Sequence, residues 1–230
     1  MSGVLARAID TLLGPGGLPE QLPDDPMPVF KAWFDEAIAS KHYEDPTGFV
    51  LSTAGQNAHP SSRMVLCKGV EAAPPAIMFF TNYQSRKAGE IAENPRVAAS
   101  FYWPKHQRQV RIEGTATRAA EPESDAYFAT RPTISKLGAW ASEQSRELPR
   151  RSDLIERVLE QVRRFGVLDV VSDTAGRNIP RPPFWGGYRI AISRIELWAG
   201  VRGRLHDRAV WEHDAANPQA AWLPARRLFP

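Results

Sequence analysis

The sequence predicts an α+β fold, a mostly antiparallel β-barrel decorated by helices. Three observations lead to this. Five short runs rich in β-branched and aromatic residues follow one another between residues 48 and 118, a spacing typical of antiparallel barrels and sandwiches. The last of them, Arg108–Arg118, alternates polar and apolar residues as a strand with one wet face does. Segments with helical spacing, bounded by prolines, interrupt the strands.

In chain order, residues 1–25 are rich in Gly and Pro and read as an N-terminal arm, followed by a single domain over residues 26–230 with no internal shift in composition. Pro28–Ser40 is a helix, because Phe30, Trp33, Phe34 and Ile38 share one face and Asp24 or Asp25 can cap its start. Strands are expected at Gly48–Thr53, Ser62–Val70, Ala76–Thr81, Arg96–Trp103 and Arg108–Arg118. Helices are expected at Tyr83–Asn94, stopped by Pro95, at Pro122–Thr130, and at Arg151–Phe165. The last is amphipathic through Leu154, Ile155, Val158, Leu159 and Val162. Three strands close the chain, at Gly187–Trp198, Leu205–Glu212 and Ala221–Phe229.

Composition narrows the function. Seven Trp, ten Phe and five Tyr in 230 residues supply enough apolar surface to rule out disorder as the main state. The most apolar stretch, near Ala72–Phe80, is about half the roughly 20 residues a bilayer requires. Arg7 and Asp10 interrupt Met1–Leu13, so no secretory leader is expected. Cys67 is the only cysteine, which excludes an intramolecular disulfide and a cysteine-based zinc site and fits a cytoplasmic, reducing location. The five histidines lack metal-ligand spacing, and no phosphate-binding glycine loop or nucleophile elbow is present. A net charge of +3 is small for tracking a nucleic acid backbone. Of the 29 basic residues 23 are arginine, the side chain suited to bidentate recognition of phosphate and carboxylate.

Four clusters carry the chemistry. Thr81-Asn82-Tyr83-Gln84-Ser85-Arg86-Lys87 spans a strand end and a helix start, where free N–H groups favour an anion and cations are normally avoided. Arg63 and Lys68 flank an apolar run, and on a regular strand they would face opposite ways unless the strand bulges or a ligand wraps its end. Tyr127 and Arg131 are expected on one helix face, with Ser135 in the following turn, a combination suited to gripping phosphate. Arg204, His206 and Arg208 are expected to alternate onto one strand face, where they repel one another unless an anion or an electron-rich ring lies over them.

Together these residues resemble the pyridoxine (pyridoxamine) 5′-phosphate oxidase family. The resemblance rests on R-M-V-L-C-K at Arg63–Lys68, F-F-T-N-x-x-S-R-K at Phe79–Lys87, R-Q-V-x-I-x-G at Arg108–Gly114 and Y-F-x-x-R-P at Tyr127–Pro132. It continues through G-A-W-x-S-x-Q-S at Gly138–Ser145, F-W-G-G-Y-R at Phe184–Arg189 and R-L-H-D-R at Arg204–Arg208. It implies an FMN-binding split β-barrel that forms homodimers. It implies that Arg63, Met64, Lys68, Phe80, Thr81, Ser85, Arg86 and Lys87 hold FMN. Gln109, Gln144, Ser145, Trp198 and Arg208 would complete the flavin site, partly from the second subunit. Lys68, Tyr127, Arg131 and Ser135 would bind the substrate phosphate, with Arg204 and His206 against the pyridine ring as catalytic residues. The implied reaction converts pyridoxamine or pyridoxine 5′-phosphate to pyridoxal 5′-phosphate and reduces oxygen to hydrogen peroxide.

Two segments depart from the family's pattern. Leu12–Gly17 lacks the Arg and Tyr of its N-terminal lid, and the loop around Asp169–Arg177 is long. The alternatives are a flavin oxidase of secondary metabolism acting on phenazine-type substrates and a non-catalytic flavin or pyridoxal-phosphate carrier.

Overall fold

The computed structural model describes residues 17–167, 169–170, 176, 178–214, 217 and 220–230. Most of the expected N-terminal arm and much of the Asp169–Arg177 loop lie outside the described residues.

Among the described residues nine strands form one antiparallel sheet. They are β1 (Gly48–Ala54), β2 (Pro60–Leu66), β3 (Gly69–Ala72), β4 (Pro75–Asn82), β5 (Arg96–Trp103), β6 (Arg108–Arg118), β7 (Trp185–Ala199), β8 (Asp207–Glu212) and β9 (Arg226–Arg227). The main order is β2-β1-β5-β6-β7-β4-β3, with β8 on β7 and β9 on β8. Its two ends, β2 and β3, are consecutive in the chain and joined only by Cys67 and Lys68, so the sheet must curl until its edges meet. At that seam Cys67 N–H donates to the Thr47 carbonyl at 2.9 Å and Lys68 N–H to the Met78 carbonyl at 2.8 Å.

Strand β7 divides the barrel. One edge pairs with β6 along its length, while the other pairs first with β4 through Trp185–Ala191 and then with β8 through Arg194–Ala199. The β6–β7 register slips at Glu113/Gly114, level with the change of partner. Gly114 is required there, because a Cβ would overlap the Ala191 carbonyl oxygen. Gly114→Ala is expected to destabilise the fold by about 2 kcal/mol, read as a lower thermal midpoint, since a backbone oxygen cannot yield as a side chain can.

Five helices are present among the described residues: α1 (Met27–Ala39), α2 (Arg86–Glu93), α3 (Glu121–Ala129), α4 (Thr133–Ala141) and α5 (Arg151–Arg164). The apolar face of α1 closes the barrel core, with Phe30 and Phe34 against Phe101 at ring separations of 5.4 and 6.0 Å. A second core of Phe128, Leu137, Val167, Ile179 and Trp185 lies beneath α3 and α4.

The expected α+β class and antiparallel barrel hold, with local corrections. The strand expected over Ser62–Val70 is two strands, broken at Cys67–Lys68. Helix α2 starts at Arg86, because Asn82 accepts the Gln84 N–H at 2.7 Å and holds a turn before it. Helix α4 was not expected; Gly138 within it masks the spacing of the buried Thr133, Leu137 and Ala141. The strand expected at Ala221–Phe229 shrinks to Arg226–Arg227. Ile155 and Leu159 of α5 are exposed, so only part of its expected apolar face packs.

Candidate active site

One cavity of about 870 Å³ opens between the barrel seam and α2–α4, a size typical of small-molecule sites. Among the described residues five cationic side chains line it, Arg63, Lys68, Arg86, Lys87 and Arg131, and no carboxylate does. Broken pairing at the seam brings Arg63 and Lys68 to the same space despite their spacing.

At one end the cations sit close together on β2 and the first turn of α2. Lys87 is 7% exposed, and its Nζ donates to Thr81 Oγ1 at 3.1 Å, Ser85 Oγ at 3.3 Å and Gln144 Oε1 at 2.9 Å. Burial, with repulsion from Arg63 and partial relief from Glu90, lowers its pKa from the usual 10.5 to about 8. Behind the cluster, Glu90 accepts from Thr53 Oγ1 at 2.5 Å, Ser61 Oγ at 2.6 Å, Arg63 Nη2 at 3.2 Å and Arg86 Nε at 2.8 Å. Burial opposes ionisation of Glu90, but those four donors hold its pKa at about 2. Glu90 therefore ties both arginines to the scaffold, a role the sequence did not disclose. One carboxylate against three cations leaves a net positive pocket at a helix N-terminus, which suits a phosphate dianion.

At the other end stand Tyr127, Arg131 and Ser135. Helix α3 stops at Ala129, so Arg131 belongs to the following turn and not to one helix face with Tyr127, while Ser135, expected in that turn, lies in the first turn of α4. They nevertheless converge on the cavity. Arg131 Nη1 is buried without a hydrogen-bond partner, and burial lowers the arginine's pKa. The guanidinium lies over the Trp185 ring at 4.6 Å and the Phe128 ring at 5.4 Å. Phe80 stacks on Tyr127 at 4.0 Å and on Trp185 at 5.5 Å, forming an aromatic wall. Gly187 lets Phe80 approach; a Cβ there would lie 2.9 Å from its ring.

Of the residues expected from the sequence, Arg63, Met64, Lys68, Phe80, Thr81, Arg86, Lys87, Tyr127, Arg131, Ser135, Gln144 and Ser145 all line this cavity. Ser85 lies behind it as an acceptor for Lys87. Gln109, Trp198, Arg204, His206 and Arg208 do not line it; Gln109, Trp198 and Arg208 are neighbours on β6–β8, and Arg204 and His206 lie in the segment just before β8. Gln109 pairs with Trp198, Trp198 pairs with Arg208, and the His206 ring lies 4.6 Å from that of Trp198.

The expected single strand face for Arg204, His206 and Arg208 is wrong. Arg202–Arg204 form a 3₁₀ turn, with Gly203 at φ 71° and Arg204 at φ 62°, and β8 begins only at Asp207. Repulsion is relieved by different means for each residue. Arg208 donates to Glu196 Oε1 through Nε at 3.0 Å and Nη2 at 2.8 Å, and its Nη1 donates to the Phe229 carbonyl. His206 Nδ1 accepts the Val201 N–H at 3.2 Å and its ring packs on Trp198. Arg204 is exposed and has no ion pair among the described residues, while holding a left-handed backbone rare outside glycine. Ser145, in the cavity, shares that conformation at φ 71°. Sequence reasoning also left Trp185 and Asn82 without a role, although both sit inside quoted motifs and line the cavity.

A split barrel whose seam opens onto a cleft lined by cations and aromatic rings defines a class of proteins built to seat large anionic ligands. Known proteins narrow that class. Residues 34–165 match the family model for pyridoxamine 5′-phosphate oxidase, and residues 185–230 match the pyridoxine 5′-phosphate oxidase C-terminal dimerisation region. The chain is 50% identical over 199 residues to pyridoxine/pyridoxamine 5′-phosphate oxidase of Rubrobacter xylanophilus, covering 86% of each. It is 44% identical over 208 residues to that of Chromobacterium violaceum, covering 90% of each. The crystal structure of PhzG from Burkholderia lata 383 in complex with tetrahydrophenazine-1-carboxylic acid is similar at a TM-score of 0.79 and 27% identity, covering 94% of this chain and 100% of that one. The chain belongs to the pyridoxamine 5′-phosphate oxidase family and is an oxidoreductase of that family. The match to the dimerisation region supports a homodimer, and no helix among the described residues is long and apolar enough to cross a membrane.

Proposed function

We propose that this enzyme uses FMN to oxidise pyridoxamine or pyridoxine 5′-phosphate to pyridoxal 5′-phosphate. The carrying observation is two separate cationic grips in one cavity that no carboxylate lines among the described residues: Arg63, Arg86 and Lys87 at one end, Arg131 with Tyr127 and Ser135 at the other. Two phosphorylated ligands account for both. The FMN phosphate would take the first grip, where the buried Lys87 amine is short of a counter-charge; Thr81, Gln144 and Ser145 would face the rest of the cofactor. The substrate phosphate would take the second, where Arg131 has donors to spare. Lys68 lines the cavity with both grips. When bound, FMN supplies a hydride acceptor and passes the electrons to molecular oxygen, giving hydrogen peroxide.

The chain's own residues bind and orient. Charge-assisted hydrogen bonds of about 1.5–3 kcal/mol each, three or four to a phosphate, supply micromolar binding before ring stacking is counted. Gln109, Trp198, Arg204, His206 and Arg208 would complete the cavity of the other subunit in the homodimer, with Arg204 and His206 against the pyridine ring. His206 accepts at Nδ1, so its neutral form carries the proton on Nε2.

The likeness to PhzG keeps a second reading in view, oxidation of a tricyclic carboxylic acid whose carboxylate would sit on Arg131. Oxygen consumption by FMN-loaded protein separates the two. Turnover with pyridoxine or pyridoxamine 5′-phosphate, reduced to a small residual rate when the substrate is dephosphorylated, is the expected result. A yellow protein inert to both would move the assignment to the second reading, and failure to take up FMN would overturn both.

A further inference from the structure

We propose that Trp185 is the positioning residue for Arg131, its indole face fixing the plane of the guanidinium so that the fork meets the substrate's phosphate. This rests on the phosphate reading above and assigns the source of its specificity. Arg131 stands in the turn after α3 and has no carboxylate partner among the described residues. What holds its guanidinium is two ring faces, Trp185 at 4.6 Å and Phe128 at 5.4 Å. Contact with a ring face limits how far a guanidinium can swing, and Arg131 lines the cavity with its Nη1 donors uncommitted.

Trp185 is well placed to act as a fixed platform. It opens β7 opposite Asn82, its backbone N–H donates to the Pro182 carbonyl at 3.0 Å, and its carbonyl accepts from Arg181 Nη1 at 2.7 Å. The residue is 7% exposed, and its ring is nearly parallel to those of Phe80 and Tyr127, at interplanar angles of 12° and 8°. The same wall therefore orients the phenol and the guanidinium of one grip, while the FMN phosphate grip on β2 and α2 makes no ring contact with it.

Trp185→Leu is expected to raise KM for pyridoxine 5′-phosphate about tenfold while kcat at saturation changes less than about twofold. Binding of pyridoxal 5′-phosphate, titrated calorimetrically into the FMN-loaded protein, should weaken by the same factor. Trp185→Phe, which keeps a ring face, should recover most of both. Reaction with unphosphorylated pyridoxine should respond little. If the leucine variant fails to fold, fluorinated tryptophan at position 185 keeps the shape but withdraws charge from the ring face. KM for the phosphorylated substrate should then rise with the degree of fluorination. Equal losses with phosphorylated and unphosphorylated substrate, or a folded phenylalanine variant as poor as leucine, would overturn the role of Trp185 alone. Wild-type protein indifferent to the substrate phosphate would overturn the phosphate reading together with it.

Discussion

Turnover of the Arg204→Ala variant is expected to fall about 100-fold or more, with the FMN content of the purified protein unchanged. Arg204 is exposed, lacks an ion pair among the described residues, and sits with Gly203 in consecutive left-handed conformations. Such strain persists where the surroundings demand one orientation. In the proposed dimer that orientation would aim the guanidinium at the substrate ring in the other subunit's cavity, clear of the proposed FMN phosphate grip. Arg204→Lys keeps the charge but loses the planar fork and should fall between the two. The measurement is kcat by oxygen consumption alongside flavin absorbance. Turnover within about threefold of wild type would remove Arg204 from the reaction.

The second large effect is on cofactor affinity. Lys87→Met is expected to raise the Kd for FMN about 10- to 100-fold, by losing one charge-assisted hydrogen bond, and to leave riboflavin binding little changed. The pH dependence is the sharper signature. Below about pH 8 the ligand-free Lys87 is protonated, so FMN affinity should be level; above it, binding must take up a proton and weakens. The methionine variant should show no such decline. Stability of the ligand-free protein runs the other way. The folded pKa of Lys87 lies below 10.5, so its buried charge costs stability fully below about pH 8, and the cost is relieved as pH rises towards 10.5. Fluorescence quenching of FMN across pH 6.5–9.5 would read the effect, where Lys87 titrates. Parallel curves for wild type and Lys87→Met would contradict the assignment.

Much of this site was legible because it is written in short contiguous motifs. Thr81–Lys87 broke the rule against cations at a helix N-terminus, and the structure places that break in the cavity wall. What was illegible arose from contacts across the chain. Glu90 reads as an ordinary helix surface residue until β1 and β2 bring Thr53, Ser61 and Arg63 against it. The alternation assumed for Arg204–Arg208 failed because Gly203 bends the backbone into a turn, and turn chemistry outranks the period of a strand. The apparent conflict between Arg63 and Lys68 disappeared once the strand ended between them, a break set by barrel closure rather than by local propensity.

That closure has a consequence for the life of the enzyme. The edges of the sheet are joined through Cys67–Lys68, and the cavity straddles the join, with Arg63 on one side and Thr81 and Lys87 on the other. A ligand lodged there would act as a clasp, gripping both banks of the line where strand pairing is interrupted. If FMN is that ligand, cofactor supply and protein longevity become linked: a cell short of flavin would hold a population of this enzyme that opens more often along its seam and is cleared sooner by proteases.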